Sequence, residues 1–374
     1  MKLGLLAADL SHRHGWAHHC LSLILALRRA GVQMTIITAR NSPDVDGLEF
    51  QCLLPDTNPM EKHLLLKSLR SAPEIGRWLR GCDLVHAMIE PYAPVGAWVA
   101  AGRPFLITAH GSYIDLLARR RYVGPIYRRL FQRARVIVCV SRYTATVIQE
   151  TLSGVPTAVI NNAIDPTRFT DLPQGAVEKR GPTVLAVGAV KMRKGTLELV
   201  RAMAAVRAAV PDVQCVIIGS LDAEPGYSHQ VTAEINLLGL QDCVHLLGHV
   251  PEATKLAWYG AADVYALPSL HVGRKFEGFG LTYLEASAAG LPVIGTQDCG
   301  AEDAIEHGVT GLLVPQSGVT AALAGAIIDL LRDPARAAQM GAAGRERAQN
   351  QTWDNAARDW LALYEKYLEN QSGR

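Results

Sequence analysis

The sequence predicts an α/β fold of two domains, each built on a parallel β-sheet with helices on both faces. The chain has 374 residues, which is too long for one ordinary hydrophobic core and suits two domains. Short apolar runs rich in valine and isoleucine alternate with longer helical patterns along the chain. Nearly continuous apolar strands separated by helices are typical of a parallel sheet that is covered on both sides.

Six strands are predicted in each half of the chain. In the first half they are residues 2–7, 33–38, 83–87, 104–109, 135–140 and 157–161. In the second half they are residues 183–188, 213–219, 243–247, 263–267, 292–295 and 311–314. Apolar residues at helical spacing predict a helix over residues 16–30, between the first two strands.

A linker is predicted over residues 170–182, which combine Pro173, Gly175, Gly181 and Pro182 with mixed charges. This gives an N-terminal Rossmann-like domain over residues 1–172 and a C-terminal one over residues 173–352. A final amphipathic helix over residues 353–374 is expected to pack back toward the N-terminal domain. The two doubly wound domains are predicted to face each other across a cleft.

The composition limits the classes of function. Hydrophobic residues make up 49% of the chain and charged residues 19%, as in well-packed globular proteins. A net charge of +2 argues against a nucleic-acid partner. The seven cysteines are scattered without a C-x-x-C pair, which indicates a reducing compartment and neither a disulfide framework nor a zinc ribbon. The chain starts directly with a strand pattern and contains no apolar run of about 20 residues, so a cytoplasmic location is predicted.

Glycine, histidine and charged residues that could bind a ligand follow several predicted strands. Ligands of open parallel sheets bind beyond the carboxyl ends of the strands, and in two facing sheets these ends meet at the cleft. The residues in question are Gly15, His110, Lys191, Arg193, Lys194 and Glu277. Cations and glycines at such ends predict a site for a phosphorylated ligand.

The most informative motif extends from Glu277 to Glu285, two carboxylates separated by seven residues. Gly280 is predicted to begin a helix, whose free amides near Leu281 and Thr282 form an anion site together with the adjoining Phe279. A carboxylate beyond such a site can accept hydrogen bonds from ribose hydroxyls. Glu285 is therefore suited to accept hydrogen bonds from the ribose, and Glu277 is suited to bind the group that is attached to the phosphates.

This spacing resembles the E-x7-E signature of retaining glycosyltransferases of family 4. Four further segments are similar to family motifs in the same order along the chain, namely residues 140–145, 159–169, 185–195 and 261–269. The resemblance implies the two-Rossmann fold called GT-B, with a nucleotide-diphosphate sugar held by the C-terminal domain. It also implies transfer with retention of the anomeric configuration, a UDP-sugar by default with a GDP-sugar as the other option, and an acceptor that is a glycan, a lipid-linked molecule or a small molecule.

The resemblance assigns roles to single residues. His110 lies near the sugar, Glu277 holds sugar hydroxyls and Lys194 meets the phosphates, so these three are the expected catalytic residues. The expected donor-binding residues are Gly15, Lys191, Arg193, Phe279, Gly280, Leu281, Thr282 and Glu285. The family commonly has an arginine where this chain has Ala189, and Lys191 and Arg193 are both candidates to replace its charge. Neither a cofactor nor a metal ion is expected.

Three weaker patterns have structural explanations as well as functional ones. His14 and His18 have the spacing of helical metal ligands, but no carboxylate accompanies them as in H-E-x-x-H. Asp44 and Asp46 spell a D-x-D motif in a polar loop and are discounted as a metal site. Residues 119–135 interleave arginines with aromatic and aliphatic residues, which suits either an ordinary exposed helix pair or peripheral contact with an anionic membrane.

Two other classes of function stay open on the sequence alone. A sugar-nucleotide epimerase or a glycan phosphorylase could use the same two-Rossmann plan, the phosphorylase with a lysine-bound pyridoxal phosphate. A non-catalytic protein could bind the nucleotide sugar without transferring the sugar. The absence of G-x-G-x-x-G and of a Walker P-loop weakens dehydrogenase and phosphate-cleaving motor functions. The sequence does not define the oligomeric state.

Overall fold

The computed structural model describes residues 1–57, 61, 63–173 and 175–372, and in it the chain forms two compact units. The first unit contains residues 1–162 and the C-terminal segment from Trp353, and the second contains Ala163–Thr352. The chain therefore passes between the units twice, at 162/163 and at 352/353. The sequence-based boundary at 172/173 lies later than the first crossing, because the turn Pro166–Phe169 packs on a helix of the second unit. Residues 174, 373 and 374, which belong to the predicted linker and final helix, lie outside the described residues.

The first unit is built on a parallel sheet of seven strands. The strands are β1 (Lys2–Leu6), β2 (Gln33–Ala39), β3 (Gln51–Leu54), β4 (Leu84–Ala87), β5 (Phe105–Ala109), β6 (Val136–Cys139) and β7 (Thr157–Val159). Their order across the sheet is β3-β2-β1-β4-β5-β6-β7. The six predicted strands are present, and β3 was missed because this short, half-buried edge strand has little apolar patterning.

The second unit has a parallel sheet of six strands. They are β8 (Thr183–Val187), β9 (Gln214–Ile218), β10 (Val244–Gly248), β11 (Val264–Ala266), β12 (Val293–Thr296) and β13 (Gly311–Val314). Their order is β10-β9-β8-β11-β12-β13. All six were predicted, and the three strands β8, β9 and β11 are buried along their whole length, as their largely apolar sequences indicate.

Helices connect the strands in both units. In the first unit they are α1 (Gly15–Arg29), α2 (Leu64–Trp78), α3 (Ala93–Val99), α4 (Tyr113–Ala118), α5 (Gly124–Phe131) and α6 (Arg142–Thr151). In the second they are α7 (Thr196–Ala209), α8 (Pro225–Leu237), α9 (Glu252–Ala261), α10 (Leu281–Ala289), α11 (Ala301–Ala304), α12 (Val319–Arg332) and α13 (Pro334–Asn350). None of the helices in the described part of the chain combines the length and the apolar character that crossing a bilayer requires.

The last helix, α14 (Trp353–Ser372), belongs to the first unit and packs on α1. The hydroxyl of Tyr364 lies 2.9 Å from Nδ1 of His86 on β4, and the ring of Trp360 stacks on the same imidazole at 4.7 Å. Burial lowers the pKa of His86 to about 3, so this imidazole is neutral at physiological pH. A neutral, hydrogen-bonded histidine thus joins α14 to the sheet.

Each sheet has one point where the strand order reverses. In the first unit this point lies between β1 and β4, and in the second it lies between β8 and β11. Ligands of doubly wound folds bind beyond the carboxyl ends of the strands at such a switch point. The segments that follow these four strands are therefore where functional side chains are expected.

Candidate active site

The segment after β8 carries the three candidate cations in a tight turn. Lys191 precedes one turn of 3₁₀ helix, Met192–Lys194, and Gly195 begins α7 with a φ of 64°. A Cβ atom at Gly195 would lie 1.9 Å from the carbonyl oxygen of Pro268, which follows β11. Only glycine permits this backbone conformation and this close approach, so it brings the cationic turn against the segment beyond the neighbouring strand.

Glu277 lies beyond β11 and joins the two segments through a single oxygen. Its Oε2 accepts hydrogen bonds from Nη1 of Arg193 at 2.7 Å and from Nζ of Lys194 at 2.5 Å. The hydroxyl of Ser269 donates to the same oxygen at 3.2 Å. The carboxylate side chain is 10% exposed and that of Lys194 is 14% exposed. Two cations and one anion thus share a nearly buried site at the switch point.

The charges of this cluster determine its protonation. Burial alone would raise the pKa of Glu277, but the charges and hydrogen bonds of Arg193 and Lys194 lower it to about 2. Burial, together with the charge of Arg193, lowers the pKa of Lys194 despite the opposing effect of Glu277. The charge of Glu277 raises the pKa of Arg193. With all three groups ionised, the cluster has a net charge of +1, which suits an anionic ligand.

Helix α10 begins as the sequence predicts, directly after Gly280. This glycine has a φ of 89°, and a Cβ atom on it would lie 2.4 Å from the ring of Tyr283. The first amides of the helix, on Leu281 and Thr282, have no acceptor within the helix because no turn precedes them. Phe279, by contrast, is buried, so its side chain supports the turn from the inside.

Glu285 lies in the second turn of α10, and its Oε2 accepts a hydrogen bond from the hydroxyl of Tyr259 at 2.7 Å. Tyr265 stacks on Tyr259 with ring centroids 6.2 Å apart and hydrogen-bonds the hydroxyl of Thr282 at 2.7 Å. Tyr265 also contacts Tyr283, whose hydroxyl donates to the carbonyl of Leu267 at 2.7 Å. A row of three buried tyrosines therefore fixes α10, and with it Glu285, against β11.

In the first unit, His110 follows β5 and has a defined tautomer. Its Nε2 lies 2.9 Å from the carbonyl oxygen of Met88, so this nitrogen carries the proton and donates it. Burial lowers the pKa of His110 to about 4, which makes the ring neutral. Nδ1 is then left as a hydrogen-bond acceptor, a suitable partner for a sugar hydroxyl.

Glu90, which the sequence analysis missed, holds the backbone of His110. It follows β4 and is fully buried, and its Oε1 accepts from the amide of His110 at 2.6 Å. The amide of Gly111 also bonds this carboxyl group. Oε2 has no hydrogen-bond partner within the described residues, and burial raises the pKa of Glu90 to about 7. A carboxyl residue directly after a buried strand beside the switch point was the signal that could have identified it.

The segment after β1, which contains Gly15, is held by Asp9. Its buried carboxylate binds Nε2 of His14 at 2.6 Å and the guanidinium of Arg13 at 2.8 Å. Burial would raise the pKa of Asp9, but hydrogen bonds from His14 and Ser11 lower it to about 2. Nδ1 of His14 caps α1 by accepting from the amide of Ala17. Both ring nitrogens of His14 therefore have structural partners.

The remaining candidates differ in their surroundings. The side chain of Lys191 makes no hydrogen bond or ion pair with the described residues, in contrast to Arg193 and Lys194. His12 and His18 contact each other, with Nδ1 atoms 3.3 Å apart. Asp44 and Asp46 are exposed in the loop between β2 and β3. In the described ranges no three side chains of histidine, cysteine, aspartate or glutamate are grouped to hold a metal ion.

Two family models match consecutive parts of the chain. The model described as Glycosyltransferase Family 4 matches residues 14–168, and the model described as Glycosyl transferases group 1 matches residues 168–347. The phosphatidyl-myo-inositol mannosyltransferase of Mycobacterium leprae is 30% identical over 366 residues, covering 94% of this chain and 92% of the relative. The chain belongs to glycosyltransferase family 4. The predicted resemblance is thereby confirmed.

Other relatives agree with this assignment. The D-inositol 3-phosphate glycosyltransferase of Pseudarthrobacter chlorophenolicus is 35% identical, covering 94% of this chain and 90% of the relative. Among solved structures, sucrose-phosphate synthase from Thermosynechococcus elongatus has a TM-score of 0.81 at 23% identity, with 99% of each chain covered. Anabaena Alr3699/HepE, crystallised with UDP and glucose, has a TM-score of 0.76 at 21% identity, covering 98% of this chain and 100% of the other. The protein is a hexosyltransferase with the GT-B fold, as the sequence predicted.

Proposed function

We propose that this family 4 enzyme transfers a hexose from a nucleoside diphosphate to an acceptor hydroxyl, retains the anomeric configuration and needs neither a cofactor nor a metal ion. The observation that carries the proposal is the pairing of Arg193 and Lys194 on one oxygen of Glu277, a residue that shortly precedes the start of α10 in the chain. This arrangement offers a net positive charge and backbone donors at the switch point of the second unit. A diphosphate is the ligand that such a site suits.

The chemistry of the transfer follows from these charges. When the bond between the anomeric carbon and the diphosphate oxygen breaks, negative charge grows on the leaving phosphate. Lys194 and Arg193 are fixed in advance to stabilise that charge, which is usually the largest catalytic contribution. The acceptor oxygen bonds the anomeric carbon on the same face, and its proton passes to the leaving phosphate. Oε2 of Glu277 is occupied by two cations, so this residue serves to orient the sugar through Oε1.

The donor's other parts have separate partners in the proposal. Glu285 has one oxygen bound to Tyr259 and directs the other toward the ribose hydroxyls. Nδ1 of the neutral His110 accepts from a sugar hydroxyl, and Gly15 allows the sugar and phosphates to approach the start of α1. Of the two candidates to replace the arginine missing at Ala189, Arg193 is the better supported because it shares Glu277 with Lys194.

The names of the relatives make the donor and acceptor more specific. A relative from Mycolicibacterium smegmatis, 33% identical over 289 residues, is named as a GDP-mannose-dependent mannosyltransferase of a phosphatidylinositol monomannoside. The other two relatives are named for phosphatidyl-myo-inositol and for inositol 3-phosphate. We therefore place GDP-mannose before UDP-sugars as donor, and inositol-containing molecules before other acceptors. The relatives are transferases, which favours transfer over epimerisation, phosphorolysis or simple binding.

The experiment incubates the protein with GDP-mannose, UDP-glucose and UDP-N-acetylglucosamine, each with phosphatidylinositol, its monomannoside or inositol phosphate. Proton NMR of the first product, with and without a chelator, reports both the anomeric configuration and the metal requirement. Retention in the presence of chelator is expected. An inverted product contradicts the proposed chemistry, and loss of activity on chelation contradicts the metal-free part. Release of free nucleotide without a transfer product supports the epimerase alternative.

A membrane-bound acceptor is supported by the surface of α5 and its flanks. Residues 116–149 contain eight arginines and no aspartate or glutamate. Tyr122 is 82% exposed and Ile126 is 54% exposed, and exposed arginines surround them. Arginine attracts anionic headgroups, while exposed tyrosine and isoleucine can enter the interface. We propose that this surface holds the enzyme peripherally on an anionic membrane at its cytoplasmic face.

Vesicle flotation tests the membrane proposal without requiring activity. Vesicles that contain phosphatidylinositol should bind the protein, and vesicles of phosphatidylcholine alone should not. Replacing Arg120, Arg121 and Arg129 by glutamine should abolish the binding, and Tyr122→Ala with Ile126→Ala should weaken it. Arg119 and Arg128 are left unchanged because they bond Asp115 and the carbonyl of Ala118. Equal binding to neutral vesicles would contradict the electrostatic part.

A further inference from the structure

His19 occupies a position that the mechanism above does not use. It lies on α1, is 2% exposed, and places Nδ1 2.9 Å from Oδ1 of Asn162. Its ring meets the ring of His110 edge-on at 4.6 Å between centroids. The ring of Trp353 meets it from another side at 5.4 Å. One buried imidazole therefore contacts the candidate catalytic histidine and two residues that are distant in sequence.

Those two residues flank the points where the chain passes between the units. Asn162 is the last residue of the first unit before the chain enters the second, and Trp353 is the first residue after it returns. Both are buried. The contacts of His19 thus join both crossings to His110 within the first unit.

The hydrogen-bonding state of His19 is defined by its partners. Burial lowers the pKa of His19 well below its usual value, so the ring is neutral. Because the amide oxygen of Asn162 can only accept, Nδ1 carries the proton and Nε2 is an acceptor. Within the described residues, Nε2 of His19 and Nε1 of Trp353 are both buried without a hydrogen-bond partner. An unused acceptor and an unused donor therefore belong to two rings that touch.

We propose that His19 is a positioning residue that orients the ring of His110. Through His19, the placement of the His110 ring depends on Asn162 and Trp353, the residues at the two points where the chain passes between the units. The hydrogen bond to Asn162 fixes the plane of the His19 ring, and the edge-on contact passes that orientation to His110. The contact with Trp353 makes the start of α14 the second support. The consequence for catalysis rests on the proposed function of His110, whereas the contact itself does not.

The test replaces His19 by phenylalanine, which keeps a ring but removes the hydrogen bond to Asn162. Misplacing a sugar-binding group should lower kcat by at least about tenfold, while the Kd of the nucleoside diphosphate, which the second unit binds, should change less than about twofold. The imidazole signals of His110 in nitrogen-15 NMR should shift. His19→Gln retains a donor for Asn162 and should restore part of kcat, and Asn162→Ala should shift the His110 signals in the same way.

Tyr364→Phe is the matched control, because it removes a hydrogen bond of α14 to His86 without touching His19. It should lower Tm and leave kcat and the His110 signals unchanged. The proposal is overturned if His110 keeps its signals in His19→Phe and Asn162→Ala, or if Tyr364→Phe shifts them equally. Should His19→Phe fail to fold, Asn162→Ala decides by the same signals. If no donor reacts, the proposed function fails. The NMR comparison still decides whether His19 positions His110, because it does not require activity.

Discussion

The two sheets place a buried glutamate at the same kind of position and surround it in opposite ways. Glu277 follows β11 and Glu90 follows β4, each beside the switch point of its sheet. Glu277 shares one oxygen with Arg193 and Lys194. Glu90 meets backbone amides, and one of its oxygens has no partner within the described residues. Burial is common to both, so the difference lies in the neighbouring charges.

This difference separates the two switch points by chemistry. The pKa of Glu277 is lowered to about 2, and that of Glu90 is raised to about 7. The second unit therefore presents a permanently charged cluster, which suits a diphosphate. The first unit presents neutral histidines, His110 among them, which suit uncharged hydroxyl groups. Similar folds thus carry an electrostatic site and a neutral hydrogen-bonding site.

The largest expected effect is an opposite change in stability when each glutamate becomes glutamine. At pH 8, Glu277→Gln should lower the free energy of unfolding by about 3 kcal/mol, because two partly buried cations lose their counter-charge. Glu90→Gln should raise it by roughly 3 kcal/mol, because a buried ionised carboxylate is replaced by a neutral amide. Denaturation by urea measures both, and changes of the same sign would contradict the comparison.

The pH dependence sharpens the same test. Glu90 keeps its proton in the folded state up to about pH 7, whereas the unfolded state loses it near pH 4.5. Stability should therefore fall as pH rises from about 4.5 to above 7, by roughly 3 kcal/mol in total, and should not do so in Glu90→Gln. Glu277 contributes in the other direction, since its stabilisation is lost as pH falls from about 4.5 to 2. A wild-type profile identical to that of Glu90→Gln would show that Glu90 is not perturbed.

The next effect concerns the cations of the second unit. Lys194→Ala should reduce kcat by about 10²- to 10³-fold and donor affinity less, because the leaving charge is largest in the transition state. Arg193→Ala should show a similar defect, since both side chains meet the same oxygen of Glu277. Lys191→Ala is the matched control from the same turn and should retain most activity. Steady-state kinetics of the three variants test this prediction. An equal loss of kcat in Lys191→Ala would contradict the assignment of Arg193 and Lys194 as the cations that stabilise the leaving phosphate.

The sequence predicted the fold better than the site. Continuous apolar strands identify both parallel sheets, and the motif around Gly280 locates the start of α10 where the structure has it. The sharing of one Glu277 oxygen by two cations was not predictable, because it depends on Gly195 approaching Pro268 far along the chain. The contacts of Glu90 and His19 were not predicted, for a related reason. Their burial and partners follow from tertiary packing. Glu90 stands between Ile89 and Pro91, and His19 follows His18 near the start of α1, so neither local sequence indicates which residues the side chain contacts.

A smaller effect separates the two glutamates of the E-x7-E motif. Glu285→Ala should weaken binding of the free nucleoside diphosphate by about 1.5–3 kcal/mol, through lost hydrogen bonds to a charged group. Glu277→Ala should spare the free nucleoside diphosphate, because it removes a negative charge beside the phosphates, and should weaken the interaction with the donor sugar. Calorimetric titration with the nucleoside diphosphate and with the intact donor distinguishes the two. Equal losses in both variants would contradict the separate roles.

The smallest predicted effect concerns Tyr259, which holds Glu285 without a proposed contact to the ligand. Tyr259→Phe removes the hydroxyl that donates to Oε2 of Glu285 at 2.7 Å and retains the ring that stacks on Tyr265. The loss of this one hydrogen bond should weaken nucleoside diphosphate binding by about 1 kcal/mol. Tyr283→Phe is the control, because its hydroxyl bonds the carbonyl of Leu267 instead. It should lower Tm and leave the nucleoside diphosphate Kd unchanged. If both variants bind it equally weakly, the tyrosine row supports α10 as a whole and Glu285 has no separate support from Tyr259.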